Sequence, residues 1–476
     1  VPVPVSNGIV VGSGPNGLMA AIVLARAGLD VEVIEASATI GGGMRSAELT
    51  VPGVLHDVCS ATHPTALASP ALQELAPDLE RHGLRWRWPA VDIAHPLDGG
   101  RAGVMVRSLD ETCAGLGKDG GAWRRTFGPL TDHFAELVTD AFRPILHVPA
   151  HPIRLAGFGL EALRPATWVA RRWRSDEARA LFAGAAAHII QPLTRPLSAS
   201  VGLMLTANGH AHGWPVAEGG SQKIAAALAG VLADAGGRIT TGRRVSSIDE
   251  LAGVDVVMLD TSPQAAADIV GDRLPRHVAR AYRRYKQGPA AFKLDLAVDG
   301  GIPWTNEACR RAGTVHVGGT LEQIVASERA VSRGTMVDDP FMLVCQQYLA
   351  DPTRSSGTIH PVWAYAHVPN GYTGDASEAI LRQIERFAPG VRERIVARVA
   401  IGPAGLEAYN ANYVGGDIAT GASDPRQTLF RPRVAVDPYF TGVPGVYVCS
   451  AATPPGAGVH GMGGANAARA ALRRLR

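Results

Sequence analysis

The residues best suited to chemistry stand near the start of the chain. Gly12, Gly14 and Gly17 hold the spacing G-x-G-x-x-G, with Ser13, Pro15 and Asn16 between them. They follow a short apolar run, Gly8-Ile-Val-Val-Gly12, and open the segment Pro15–Arg26, whose Leu18, Ile22 and Ala25 fall on one face at helical spacing. In such a loop the first glycine makes the turn, the second lets backbone approach a pyrophosphate, and the third lets the helix pack closely. The helix N-terminus then faces phosphate charge. A second run, Val31-Glu-Val-Ile-Glu35, follows Gly28 and ends in a carboxylate placed to accept hydrogen bonds from an adenosine ribose. The chemistry these residues suit is dinucleotide binding.

The next segment, Gly41-Gly-Gly-Met-Arg45-Ser46, turns that reading from a nicotinamide dinucleotide toward FAD. Gly42 and Gly43 let backbone pass close to a cofactor just after the ribose carboxylate, and Arg45 offers a forked cation for its diphosphate. Near the other end, Gly445-Val-Tyr-Val-Cys-Ser450 runs into Pro454-Pro-Gly-Ala-Gly-Val-His460-Gly-Met-Gly-Gly464. Gly456, Gly458 and Gly461 repeat the fingerprint spacing, but too little chain follows for a second strand and carboxylate. Ser450, Gly461 and Met462 are therefore read as flavin contacts, with a helix N-terminus aimed at the ring.

These pieces imply a βαβ unit and a parallel sheet. Arg238 to Ile248, Asp255-Val-Val-Met-Leu-Asp260 and the Gly445–Cys449 run read as further strands of that sheet. The remaining chain forms two long insertions. The expected fold is α/β: a Rossmann-like FAD domain over 1–65, 215–272 and 431–476, and a mixed-sheet substrate domain with helices over 66–214 and 273–430. In the second insertion the alternation in Ala291-Phe-Lys-Leu-Asp-Leu-Ala297 predicts an antiparallel strand. In the first, Phe158 to Arg174 interleaves Leu160, Leu163, Trp168 and Trp173 with four arginines. That stretch reads either as a helix on a membrane surface or as a helix at a pocket entrance, and Pro165 favours the entrance.

Composition narrows the partners. The 46 basic and 43 acidic residues leave a formal charge of +3 without basic blocks, so no nucleic-acid partner is expected. Five widely spaced cysteines without a C-x-x-C pair point to reduced thiols. With no leader pattern and no apolar run near the roughly 18 residues that span a bilayer, the expected location is cytoplasmic or peripheral to a membrane. The histidine pairs His210/His212 and His147/His151 lack the companions of a metal site, so no metal is expected. His63 and His460 flank the inferred flavin contacts and are the candidates for acid or base work.

Taken together, the fingerprint, Arg45, the Val446 to Gly464 segment, Trp214-Pro-Val-Ala-Glu-Gly-Gly220 and Gly415-Gly-Asp417 resemble the phytoene-dehydrogenase-related flavoproteins, which stand with carotenoid desaturases and isomerases and, more distantly, amine oxidases. The resemblance covers essentially the whole chain. It implies one FAD, a pocket over the flavin, and adenine held by the backbone of Val245. The pattern Gly288-Pro-Ala-Ala-Phe-Lys293, followed by Ile302-Pro-Trp304, resembles the amine-oxidase strand whose lysine holds a water against flavin N5; a lysine at a sheet edge is the other reading. The middle of the chain departs from carotenoid desaturases at Thr314-Val-His-Val-Gly-Gly319 and His367-Val-Pro, which widens the expected substrate to an apolar or amphipathic small molecule.

The expected activity removes two hydrogens from that molecule, with hydride passing to flavin N5. A single dinucleotide unit leaves oxygen or a quinone-like molecule as the expected electron acceptor. The alternatives are a non-redox flavin isomerase and a non-enzymatic escort protein of the same fold, the latter disfavoured by the intact fingerprint with Glu35 and Arg45.

Overall fold

Short β-branched runs bounded by glycine and polar residues make the strands that carry the fingerprint. The computed structural model describes residues 6–475. Asn7–Val11 pairs in parallel with Asp30–Ile34 on one side and Val256–Leu259 on the other. Val446–Val448 and Arg238–Thr240 extend the two edges, giving a five-stranded sheet that is parallel throughout. Strands from the beginning, middle and end of the chain therefore meet in one sheet. Helix Pro15–Arg26 makes the crossover after the first strand, and the last helix, Met462–Leu475, packs on it. Gly464 allows that contact, because a Cβ there would stand 1.8 Å from the Asn16 carbonyl oxygen.

A second sheet has seven strands in the order Ile395–Ile401, Ala290–Asp299, Ile359–Val368, Met342–Cys345, Ala312–Val317, Val91–Pro96 and Ala102–Met105. Only Ala312–Val317 and Val91–Pro96 run parallel; the other neighbours are antiparallel. Along Ala290–Asp299 the period of two sends Phe292, Leu294, Leu296 and Val298 into an apolar core with Ile380 and Ile384. Ala291, Lys293 and Asp295 take the opposite face. Helices Gly120–Asp132, Asp176–Ala187 and Ala199–His212 form a further layer around Trp123, Phe127 and Trp173. The α/β class with one parallel and one mixed sheet is as the sequence implies.

Two local expectations are corrected. Strand structure in Arg238 to Ile248 ends at Thr240. Gly242 turns the chain at a φ of +72°, and the amides of Gly242 and Arg243 bond the carbonyls of Ser37 and Glu35, so Val245 sits in a loop draped over the end of the Asp30–Ile34 strand. The Phe158 to Arg174 stretch is no single helix. It divides into Pro152–Ala162, Ala166–Val169 and a 3₁₀ turn, Ala170–Arg172, with the break at Pro165, whose ring cannot continue the preceding helix. Trp173 is buried while Trp168 is exposed.

Candidate functional site

A cavity of about 850 Å³ joins the fingerprint loop to the second sheet. It is lined by Gly12, Gly14, Pro15, Asn16 and Glu35 of the first βαβ unit and by Val245. Gly42, Gly43, Arg45 and Ser450 line it as well, and the second sheet contributes Trp363 and Tyr365 of the Ile359–Val368 strand.

The loop is as tightly built as phosphate binding requires. Gly12 lies at a φ of +103°, and a Cβ at Gly17 would stand 2.1 Å from the Gly12 carbonyl oxygen. Gly17 itself lies behind the loop surface, with its amide donating to Asp260 Oδ2 at 3.0 Å. Glu35 ends its strand at the cavity wall. Its Oε2 accepts from the Ser13 amide at 2.9 Å and the Ser13 hydroxyl at 2.5 Å, and Oε1 accepts from the Ser37 amide at 2.8 Å. A carboxylate has about four acceptor positions, so one is left for a ligand hydroxyl. The Arg45 guanidinium stacks on Tyr409 at 5.0 Å, donates to the Tyr409 carbonyl at 3.2 Å and lies 3.8 Å from Glu35, while its Nε is buried without a partner. The glycine cradle, the carboxylate at the strand end and this orphaned donor fit FAD.

Asp260 was not among the expected site residues. It ends the Val256–Leu259 strand next to the fingerprint, and its carboxyl lies under the loop: a Cβ on Gly14 would stand 2.6 Å from Oδ2. Burial raises its pKa to about 6, with Glu35 adding to the rise and the Gly17 amide opposing it. The signal was present in the sequence, as a carboxylate at the carboxyl end of a third parallel strand, where ligands of such sheets bind. Trp363 and Tyr365 were legible too, since alternate residues of a strand share a face. His188, which lines the cavity and lies 3.0 Å from His316 Nε2 through its own Nε2, gave no local signal.

Several expected residues lie off the cavity. Lys293 does not line it and stands at no sheet edge, because its strand has neighbours on both sides. Its ammonium is ion-paired with Asp295, both side chains being buried, and His56 Nδ1 lies 3.4 Å from the other oxygen of that carboxylate. Burial lowers the lysine pKa against the pull of Asp295. On the neighbouring strand Tyr365 and Trp363 stand directly opposite Lys293 and Asp295, and these rings form the wall instead. His63 also faces away: Nε2 bonds the Ser221 hydroxyl at 2.9 Å, and burial lowers its pKa to about 4. Gly461 and Met462 do not reach the cavity, since Gly461 packs against Met19 and the Met462 amide is taken by His460 Nδ1 at 3.1 Å.

His460 does line the cavity. Its accepting Nδ1 places the proton of the neutral ring on Nε2, and burial lowers its pKa to about 4, so at neutral pH it is a hydrogen-bond donor rather than a cation. The five cysteines are buried, and burial raises the pKa of Cys59 and Cys449.

Fold and cavity together define a two-sheet architecture with a dinucleotide loop opening onto a chamber walled by the second sheet. The profile of the NAD(P)-binding Rossmann-like domain family matches residues 10–79. The mouse protein named pyridine nucleotide-disulfide oxidoreductase domain-containing protein 2 is 24% identical, over 99% of this chain and 94% of its own length. Among solved structures, an oxidoreductase from Methanosarcina mazei superposes with a TM-score of 0.63 at 17% identity, covering 98% of this chain and 100% of that one. Putrescine oxidase bound to putrescine superposes with a TM-score of 0.59 at 17% identity, covering 100% of both chains. The chain has the fold of these oxidoreductases.

Proposed function

We propose that this protein is an FAD-dependent oxidoreductase of the phytoene-dehydrogenase-related kind, which takes two hydrogens from an apolar or amphipathic small molecule and passes electrons on to oxygen or a quinone-like acceptor. One observation carries the reading: a single cavity runs from the fingerprint loop and Glu35 to the aromatic wall at Trp363 and Tyr365. The oxidoreductase names of the relatives and structural neighbours support it. Bound FAD would supply the hydride acceptor, N5 of its ring. The protein's part is to hold the dinucleotide at Gly12, Gly14, Asn16 and Glu35, to orient substrate against the aromatic wall, and to keep water from the reacting centre. His460 Nε2–H offers a neutral donor on the chamber wall.

The purified protein is expected to be yellow, with one FAD per chain, and a colourless protein that takes up no added FAD would defeat the proposal. Glu35→Ala is expected to weaken FAD binding by about 1 to 3 kcal/mol, because it removes the ribose acceptor and also releases Ser13 of the loop. Flavin titration followed by fluorescence measures this, and unchanged affinity would place Glu35 away from the ribose.

Asp260 makes the affinity depend on pH. Its raised pKa means that the neutral acid persists to about pH 6, after which an anion stands beside the loop that receives the diphosphate. FAD affinity is therefore expected to be highest on the acid side and to weaken by about tenfold as pH rises through that value. In Asp260→Asn the titration is absent, and the profile should be flat over the same range. An equally steep profile in that variant would assign the titration to another group.

A further inference from the structure

The first insertion carries a surface unlike the rest of the molecule. Of the twelve large apolar side chains exposed among the described residues, seven lie between Ile145 and Trp168. Val148 is 90% exposed, Ile153 84%, Leu160 69% and Trp168 58%. Helix Pro152–Ala162 is eleven residues long, yet only Ala162 is buried. Scattered apolar residues on a surface need no explanation, but a cluster of this kind marks an interaction site.

The cluster is held in a defined position. Buried Asp140, at the end of helix Phe134–Ala141, accepts the Ala150 amide at 2.8 Å and the His151 amide at 2.7 Å, and His147 Nε2 lies 3.2 Å from the same carboxylate. The loop bearing Ile145, Leu146 and Val148 is thereby fixed while its apolar side chains stay in solvent. The cluster also adjoins the chamber. Phe142, just before the loop, and Phe158, in the middle of the exposed helix, both line the cavity.

Charge selects the occupant. Residues 143–174 contain six arginines and one glutamate. Glu161 pairs with Arg164 and Arg172, and Arg154 pairs with Glu136, whereas Arg143, Arg171 and Arg174 have no carboxylate partner among the described residues. A twofold contact with a second copy would set this positive surface against itself. An anionic lipid surface accepts both features, with apolar side chains entering the acyl boundary and arginines meeting lipid phosphates.

We infer that the loop 143–151, helix Pro152–Ala162 and the Trp168 turn form a docking surface for an anionic membrane, on which the protein rests with its chamber beside the bilayer. No helix among the described residues is long and apolar enough to cross a membrane, so the contact is interfacial. Use of this surface for substrate entry rests on the oxidoreductase reading; the docking itself does not.

Co-sedimentation of the full chain with phosphatidylcholine vesicles, with and without phosphatidylglycerol, tests the inference. Binding is expected to phosphatidylglycerol-containing vesicles and should fall as ionic strength rises. Ile153→Asp/Leu160→Asp should lower the partition coefficient by about tenfold or more. Arg143→Gln/Arg171→Gln/Arg174→Gln should remove most of the preference for phosphatidylglycerol, again by about tenfold or more. All five side chains are exposed, so thermal unfolding and flavin absorbance should match the wild type. Three results would overturn the inference: no sedimentation with either vesicle, sedimentation unchanged in both variants, or light scattering showing a dimer that Ile153→Asp/Leu160→Asp dissociates. Failed docking with FAD bound removes only this inference, whereas docking by a protein that cannot bind FAD removes only the proposed function.

Discussion

Lys293→Met is expected to destabilise the folded protein by about 3 to 5 kcal/mol, because it leaves the Asp295 carboxylate buried without its cation. Lysine and aspartate are two residues apart on one strand, hence on one face, and both side chains are buried. His56 alone cannot replace the ammonium, since it meets the carboxylate at 3.4 Å and its other nitrogen bonds the Thr50 hydroxyl at 2.8 Å. Lys293→Met/Asp295→Leu removes both charges and is expected to recover most of the loss, as apolar replacement of a buried pair is often neutral. Urea unfolding of wild type and both variants measures this, and a single variant as stable as the wild type would show that the pair carries no such cost. The double variant also tests the lysine for chemistry without the confounding loss of fold. If it binds FAD and one flavin half-reaction slows by about tenfold, or about 1.4 kcal/mol of barrier, the lysine acts on the reaction. Unchanged half-reactions confine it to structure.

A comparable loss, about 3 to 5 kcal/mol, is expected for Arg354→Leu. Arg354 is fully buried and joins three segments: it is ion-paired with Asp57, its Nε donates to Asp351 at 3.0 Å, and its Nη2 donates to the Ala217 carbonyl at 2.6 Å. Asp57 in turn accepts the Ser221 amide at 2.7 Å and the Ser46 hydroxyl at 2.8 Å, and Asp351 accepts the Gly219 amide at 2.7 Å. The network braces the two segments that carry Arg45 and Cys59 to the cavity wall, so flavin affinity should fall with stability. Arg354→Lys should recover only part of the loss, because one ammonium cannot reproduce the guanidinium fork.

The same network predicts a pH signature. Burial alone would raise the Asp57 pKa, but Arg354 and the two donors hold it below the ordinary 3.8. A lowered pKa in the folded state contributes stability above the unfolded value, and that contribution is lost as pH falls through the folded one. Without Arg354 burial raises the folded-state value toward or above the unfolded one, so less stability is left to lose to protonation and the acid limb of the stability profile should be shallower than in the wild type. Profiles of identical shape would show that Asp57 does not depend on Arg354.

The sequence by itself determined the elements whose meaning is local. The fingerprint, the helix after it and Glu35 lie within one βαβ unit, where glycine spacing and apolar period specify the turn, the close approach and the strand end together. The Ala290–Asp299 strand was legible for the same reason, in its period of two. The Lys293-x-Asp295 pairing was also within reach, because strand geometry alone puts the two side chains on one face. Tertiary structure decided the rest. His63 turns to Ser221, 158 positions away, rather than to the cavity, and Arg354 meets Asp57 across 297 positions. Val245 left the strand pattern because Gly242 turns the chain onto the loop after Ile34. Exposure of Val148, Ile153 and Leu160 depends on which neighbours fail to cover them, and no local spacing encodes that. Turns and periodic faces follow from the residues nearest in the chain, whereas the partner of a buried charge and the covering of an apolar face depend on segments that only folding brings together.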